Sequence, residues 1–175
     1  MSFIVEDGVH PLDDKNANAY CTKEFANAYH EDFGDPAAWS GADDSDKEAA
    51  IRTATRYLDA TYTNRWVAEK VSRRQSLSWP RYYDGYINDE LFYADEIPLA
   101  IKQATAILAL NHINGEALFP VKTTDDTLEE KLIKVSDITI AKKFSGGGAP
   151  VLPEFPLIDA LLTKLLKSAS RVTRR

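Results

Sequence analysis

Residues 45–62 read SDKEAAIRTATRYLDATY, and residues 73–81 read RRQSLSWPR. The first run decides the fold. Ala50, Ile51, Ala54, Tyr57, Leu58 and Thr61 recur at spacings of three and four, which draws an apolar stripe along a helix. Arg52, Arg56 and Asp59 fall largely off that stripe. Ser45 suits the N-cap, since its hydroxyl can take an orphan backbone N–H, and Glu48 can reach back to complete a capping box. Asp46 and Glu48 also place negative charge at the positive end of the helix dipole. The second run differs in kind. Gln75 to Trp79 reads as extended, because Ser78 and Trp79 precede Pro80 and a residue before proline is pushed out of the α region.

Size and composition set the limits. A chain of 175 residues is one domain with room for an appendage. An apolar fraction of 44% supports a real core. With no run of eighteen apolar residues, no membrane span is expected. The start, MSFIVED, lacks the basic and apolar regions of a signal peptide. The single cysteine, Cys21, excludes an internal disulfide, and synthesis in a reducing cytoplasm is expected. Net charge is −6 but unevenly spread. Residues 1–48 hold twelve acidic and three basic side chains, a net of −9, which leaves +3 for residues 49–175. Such an acidic front and basic tail suit contact with charged surfaces, or simply a solvated front and a frayed basic end.

Along the chain, residues 1–19 show no period, and Pro11, Asp13, Asp14 and Asn16 read as loop. Thr22 can cap a short helix from Lys23 to about Phe33, with Phe25, Ala28, Tyr29 and Phe33 inward and Gly34-Asp35-Pro36 as the stop. Trp39, in a small-residue loop, reads as a plug in the side of a helical core. Residues 64–70 fit either a further helical turn or a loop. Tyr82, Tyr83, Asp84, Gly85 and Tyr86 read as an exposed turn. Asp95 or Glu96 with Ile97-Pro98 starts a second strong helix. Ile97, Ile101, Ala104, Ile107, Leu108 and Ile113 form its stripe, and Asn114-Gly115 ends it. Its Ala-rich middle marks it as the central helix. Residues 128–144 fit a helix or, preferably, two short strands turning at Ser136-Asp137. Ser145 to Pro150 is a glycine-rich linker. Beyond the extended Val151–Pro156, Leu157, Ile158, Leu161, Leu162, Leu165 and Leu166 form an apolar helix with a basic end. Three homes are open to it: its own core, a partner protein, or a membrane surface.

No catalytic set emerges. His10, His30 and His112 lack metal-ligand spacing, and Cys21 has no partner at a zinc-site interval. Gly146-Gly147-Gly148 lacks the lysine and hydroxyl residue of a phosphate loop. No metal or cofactor is therefore expected. Arg73, Arg74 and Arg81 around Trp79, followed by Tyr82, Tyr83 and Tyr86, have the basic-aromatic interleaving of a single-strand stacking surface. Equally, Leu77 and Trp79 can be core anchors, and the overall acidity opposes coating of a polyanion.

Five features in order resemble a known family. Tyr20, Thr22, Phe25, Ala28 and Tyr29 come first; a Trp39 loop then leads into Lys47-Glu48-Ala49-Ala50-Ile51 with Ala54, Tyr57, Leu58 and Asp59. Gln75, Leu77, Trp79, Pro80 and Arg81 follow, then Ile97-Pro98 with Ala104-Thr105, and finally FPLIDALL at 155–162. This order, over residues 20–166, is similar to that of the head–tail connector proteins of tailed bacteriophages, also called adaptor or head-completion proteins. Some members of that group carry a DnaT-like single-stranded-DNA-binding label. The resemblance implies a virion protein, made in the host cytoplasm, without catalysis or cofactor. It implies a homo-oligomeric, dodecameric ring under the portal protein at the capsid vertex. Such a ring extends the DNA channel, lets DNA pass without sequence-specific binding, and docks a tail or nozzle protein.

The expected architecture is mainly α: a small helical bundle with a short β-hairpin or extended insertion and an extended C-terminal arm ending in a helix. Its expected parts are an N-terminal arm (1–19), a helical adaptor domain (20–144), and a linker with a partner-binding arm (145–175). Phe155, Pro156, Leu157, Ile158, Leu161, Leu162, Leu165, Lys167, Arg171, Arg174 and Arg175 are the expected portal or subunit interface. Arg73, Arg74, Gln75, Leu77, Trp79, Pro80 and Arg81 are the expected subunit-contact loop, or the nucleic-acid contact of a single-strand-binding replication protein.

Overall fold

The structure, a computed structural model, describes residues 2–6, 16–82, 86–87, 90–91, 96–119, 130–135, 138–143 and 152–167, with only strand pairing described for 86–91 and 130–143. The chain divides into two compact units, Met1–Glu116 with Phe155–Arg175, and Ala117–Glu154. It is mainly helical, with small two-stranded antiparallel sheets.

The first unit is organised by two helices, α3 (Asp44–Tyr62) and α4 (Leu99–Ile113). Shorter helices α1 (Lys23–Asp32), α2 (Ala37–Ser40) and α5 (Pro156–Leu162) surround them. On α3, Ala50, Ile51, Ala54, Tyr57 and Leu58 are buried as their spacing requires, with Thr55 and Tyr62 beside them. The cap differs from expectation. Asp43, not Ser45, is the N-cap: its carboxylate accepts the Asp46 N–H at 2.9 Å, and the Ser45 hydroxyl donates to it at 2.8 Å. Aspartate caps as well as serine and adds a full charge at the dipole's positive end, which favours the earlier start. Lys47 lies almost buried, its ammonium 5.6 Å from the Trp39 ring, so its stem covers apolar surface.

Thr22 caps α1, its hydroxyl accepting the Phe25 N–H at 3.1 Å. The buried row is Ala26 and His30; Ala28 and Phe33 are exposed, and Phe25 and Tyr29 are half-buried. The expected face is thus displaced by about one residue. The polar anchor decides it: the His30 Nε2–H donates to the Ala106 carbonyl of α4 at 3.2 Å, and the ring lies 4.6 Å from that of Trp39. Trp39 plugs the core at 1% exposure, from the four-residue α2 rather than from a loop. Helix α4 starts at Leu99 after Pro98, later than Asp95 or Glu96, and packs against α1, α2, α3 and α5, the central place its composition suggests. Gly115, at φ +92°, takes the left-handed turn beyond the Asn114 C-cap.

The described parts of both chain ends are tied into the first unit. Val5 bridges Ala19 in parallel, the Asn18 N–H donates to the Ile4 carbonyl at 2.8 Å, and Ala17 and Ala19 are buried. The C-terminal segment has no regular structure over 152–155 and then forms α5. Ile158, Leu162, Leu165 and Leu166 are buried, and the segment runs beside the end of α3. Phe155 meets the Tyr57 ring edge-on at 5.4 Å. Farther on, Asp159 accepts the Tyr62 hydroxyl at 3.0 Å, and Leu166 bridges Trp66. An apolar row at i, i+4 and i+7 needs cover, and the open α3–α4 edge supplies it within the chain.

The stretch expected to be extended, Gln75 to Trp79, instead turns through bends, with a cis peptide bond between Trp79 and Pro80. Strands β1 (Glu69–Lys70) and β2 (Arg81–Tyr82) close its base, and β3 (Tyr86–Ile87) pairs with β4 (Glu90–Leu91). In the second unit β5 (Glu130–Val135) and β6 (Ile138–Lys143) form an antiparallel hairpin with Val135 opposite Ile138, so strands, not a helix, occupy this stretch. The turn placed at Ser136-Asp137 and the 145–150 linker lie outside the described residues.

Leu162→Ala is expected to cost about 2–5 kcal/mol of folding stability, against under about 0.5 kcal/mol for Leu157→Ala, measured by urea unfolding. Burial holds the His30 imidazole below its ordinary value, so the fold prefers it neutral. Its contribution is full above the unfolded pKa of about 6.5 and is lost as pH falls through that value toward the lower folded one. Replacing it by Gln, which keeps a donor for Ala106, should flatten the change in urea midpoint between pH 7 and pH 5.

Candidate functional site

The loop from Val71 to Arg81 is fixed from below by a buried polar node. Tyr20, fully buried, donates its hydroxyl to Asp59 Oδ1 in a short hydrogen bond. That hydroxyl also accepts the backbone N–H groups of Ser78 at 3.0 Å and Trp79 at 3.3 Å. Asp59 Oδ2 accepts the Ser78 N–H at 3.1 Å. Burial, then the Asp59 charge, pushes the Tyr20 phenol well above its ordinary range, so it remains a proton donor to the carboxylate. Burial also raises the Asp59 carboxyl, while the hydrogen bonds from Tyr20 and Ser78 oppose that rise.

Gln75 forms the second tie. Its amide nitrogen donates to the carbonyls of Leu77 at 3.1 Å and Pro80 at 2.9 Å, and its oxygen accepts the Ser72 N–H at 2.9 Å. These bonds explain why the segment curls rather than extends: the glutamine replaces a strand partner. Ser76 ties the loop outward, donating to the Ala17 carbonyl at 2.7 Å. Arg81 is the third tie. Its guanidinium donates to the carbonyls of Val67 at 2.7 Å, Ser78 at 3.0 Å and Ala68 at 2.6 Å. Ala68 sits at φ +58°, a conformation costing an L-residue roughly 1–2 kcal/mol, and the Arg81 fork holds its carbonyl.

The proposed contact residues of this loop therefore separate. Gln75, Leu77, Trp79 and Pro80 are buried, and Trp79 packs edge-on against Trp66 at 5.8 Å. Arg81 is half-buried and committed to backbone carbonyls. Arg73 and Arg74 are exposed, with Lys70 and Tyr82 exposed on the adjoining strands. Among the described members of the basic-aromatic set, Arg73, Arg74 and Tyr82 are exposed and Trp79 is a core anchor; Tyr83 lies outside the described residues.

The C-terminal set separates likewise. Ile158, Leu162 and Leu165 face the chain's own core, and Phe155 and Leu161 are half-buried. Pro156, Leu157 and Lys167 are exposed. Arg171, Arg174 and Arg175 lie outside the described residues. The Lys167 N–H donates to the Arg65 carbonyl at 2.7 Å, and Arg65 reaches Asp159 at 3.6 Å while lying over the Tyr62 ring.

Residue type and spacing did not disclose Tyr20 with Asp59 as a functional pair. Thirty-nine positions separate them, and Asp59 reads as a solvated helix residue. Only the absence of a basic residue at the i±4 positions Thr55 and Thr63 hints that its partner lies elsewhere. Chemically, the node is mechanical: its donors and acceptors engage one another and the backbone. Burial pushes the Cys21 thiol up to about 12, which leaves it unreactive near neutral pH. Among the described residues no group of three or more His, Cys, Asp or Glu is placed to hold a metal.

A family model described as "Putative DnaT-like ssDNA binding protein" matches residues 1–175, the whole chain. No curated protein and no solved structure shows significant similarity to it.

Tyr20→Phe leaves the Trp79 N–H without its acceptor and should cost about 1–3 kcal/mol. Chemical unfolding measures that cost, and tryptophan fluorescence should report the Trp79 environment opening at denaturant levels where the wild type remains closed.

Proposed function

We propose a function from one premise: the chain belongs to the family described as putative DnaT-like ssDNA binding protein. The function is that of a non-catalytic head-to-tail connector subunit of a tailed bacteriophage. Copies would ring the portal, extend the DNA channel and dock the tail. The supporting observation is where the rings lie. Trp39, Trp66 and Trp79 are all at 1% exposure or less, and Tyr20, Tyr57 and Tyr62 are buried with them. A single-strand platform needs several rings open to the bases, whereas among the described residues the large exposed rings are Phe33 and Tyr82, on separate elements. The large apolar side chains left outside include Phe33, Leu99 and Leu157, on three different helices, which is what subunit assembly covers. A net charge of −6 suits a channel wall past which DNA slides without sticking. The order of motifs from Tyr20 to Leu162, similar to that of connector proteins, supports the same reading.

One observation favours direct binding of single-stranded DNA, the reading that the family description carries. Lys70, Arg73 and Arg74 are exposed cations of the 70–82 stretch, and Tyr82, opposite the exposed Glu69 in the β1–β2 ladder, is an exposed ring. Such cations would grip phosphates electrostatically, and added salt would weaken the grip steeply.

Quantitative mass spectrometry of purified, DNA-filled particles separates the two. One copy per portal subunit is expected, together with oligonucleotide binding that is weak and little changed in an Arg73→Ala, Arg74→Ala, Tyr82→Ala triple variant. Absence from particles, with tight salt-sensitive binding lost in that variant, would replace the connector reading by the DNA-binding one. Because Trp79 lies in the core, its substitution is no clean probe of either.

A further inference from the structure

Two exposed apolar features of the first unit have charged residues beside them: acids around Phe33, and lysines beyond the C-terminal end of α5 with Glu154 before its N-terminal end. Phe33, the C-cap of α1, is 70% exposed and stands among Glu31, Asp32 and Asp35, all exposed. Its backbone is held. The Phe33 N–H donates to the Tyr29 carbonyl at 3.3 Å, the Gly34 N–H to that of Glu31 at 3.3 Å, and the Asp35 N–H to that of His30 at 2.7 Å. The ring rests 4.7 Å from that of Tyr29. Phe33 is thus a fixed knob rather than a loose side chain.

The second feature is the outer face of α5. Pro156, Leu157 and Ala160 are exposed there, Leu157 at 65%, and Leu161 is half-buried. Lys164 continues the row of Leu157 and Leu161 at i+7, and Lys167 follows; both are exposed. The helix cannot roll to hide Leu157, because Ile158 and Leu162 are buried and Tyr62 holds Asp159. Phe33 and Leu157 both stay open, so neither covers the other within one chain.

We infer that Phe33 of one copy seats on the Pro156–Leu161 face of α5 in a second copy, with Glu31, Asp32 and Asp35 turned toward Lys164 and Lys167. Apolar centres with charged rims of opposite sign are the make-up of a specific, oriented interface. The two surfaces differ, so the contact is heterologous: each copy can use both, and repetition gives a ring if the rotation closes or a filament if it does not. The inference deepens the connector reading by naming the contact through which copies would join.

Sedimentation velocity of the full chain at low ionic strength tests it with Phe33→Lys and Leu157→Glu. The wild type should associate beyond two chains as concentration rises, and added salt should weaken that association. Each variant alone should lose self-association by about tenfold or more. An equimolar mixture should yield two-chain species and nothing larger, because only one kind of intact contact remains. Should Leu157→Glu lose its helical circular dichroism, Lys164→Glu with Lys167→Glu takes its place with the same expected outcome. A wild type that stays monomeric, variants that associate like it, or a mixture that stays monomeric would each overturn the contact. The two readings fail separately. Association through these faces by a protein absent from particles keeps the contact and removes the connector. A protein counted in particles whose variants assemble normally does the reverse.

Discussion

The Asp59 carboxylate on α3 is the constraint from which the rest of the first unit follows. One of its oxygens holds the Tyr20 hydroxyl and the other the Ser78 N–H. Three stretches distant in sequence, around residues 20, 59 and 78, are thereby fixed to one point on one helix. A partly buried carboxylate left unpaired would be strongly unfavourable, so the chain must close around it or not fold there at all. This makes the node a device of specificity as much as of stability. Apolar side chains such as Leu77 and Trp79 could pack in several ways. The directional bonds from Ser78 and Trp79 to Tyr20 and Asp59 admit one.

A second closure adjoins the first. The end of α3 carries Tyr62, Arg65 and Trp66, and the C-terminal segment is stitched to each. Tyr62 donates to Asp159, Arg65 pairs with Asp159, and the Lys167 N–H reaches the Arg65 carbonyl. Trp66 touches both closures: its ring meets Trp79 of the loop, while its backbone bridges Leu166.

How far the sequence discloses this depends on which forces act. Helix α3, central α4 and the Thr22 cap are legible because they rest on local periodicity and on a hydroxyl three residues from its N–H. The hairpin at 130–143 is legible through its β-branched alternation. Failures begin where a distant polar partner chooses between local options of similar energy. The buried face of α1 depends on His30 reaching Ala106, 76 positions away. The loop curls because Gln75 binds its carbonyls, against the extended preference of a residue before proline. The C-terminal helix was open to three homes, since an apolar row states that it needs cover and not what covers it. For the candidate site, Arg73 and Arg74 lie on the surface as their charge suggests. Trp79 and Arg81 share their motif but serve the interior.

That division bears on how a DNA-related description fits an acidic, core-bound set of aromatics. A tryptophan beside arginines is ambiguous in sequence, because stacking on bases and packing in a core call for the same residue type. The arginine partners resolve it. A guanidinium directed at phosphate must keep its donors outward, whereas Arg81 directs three nitrogens at carbonyls of its own chain, one of them on the strained Ala68. The charge of Arg81 is thus used to shape a loop, and among the described residues around it Lys70, Arg73 and Arg74 are the exposed cations.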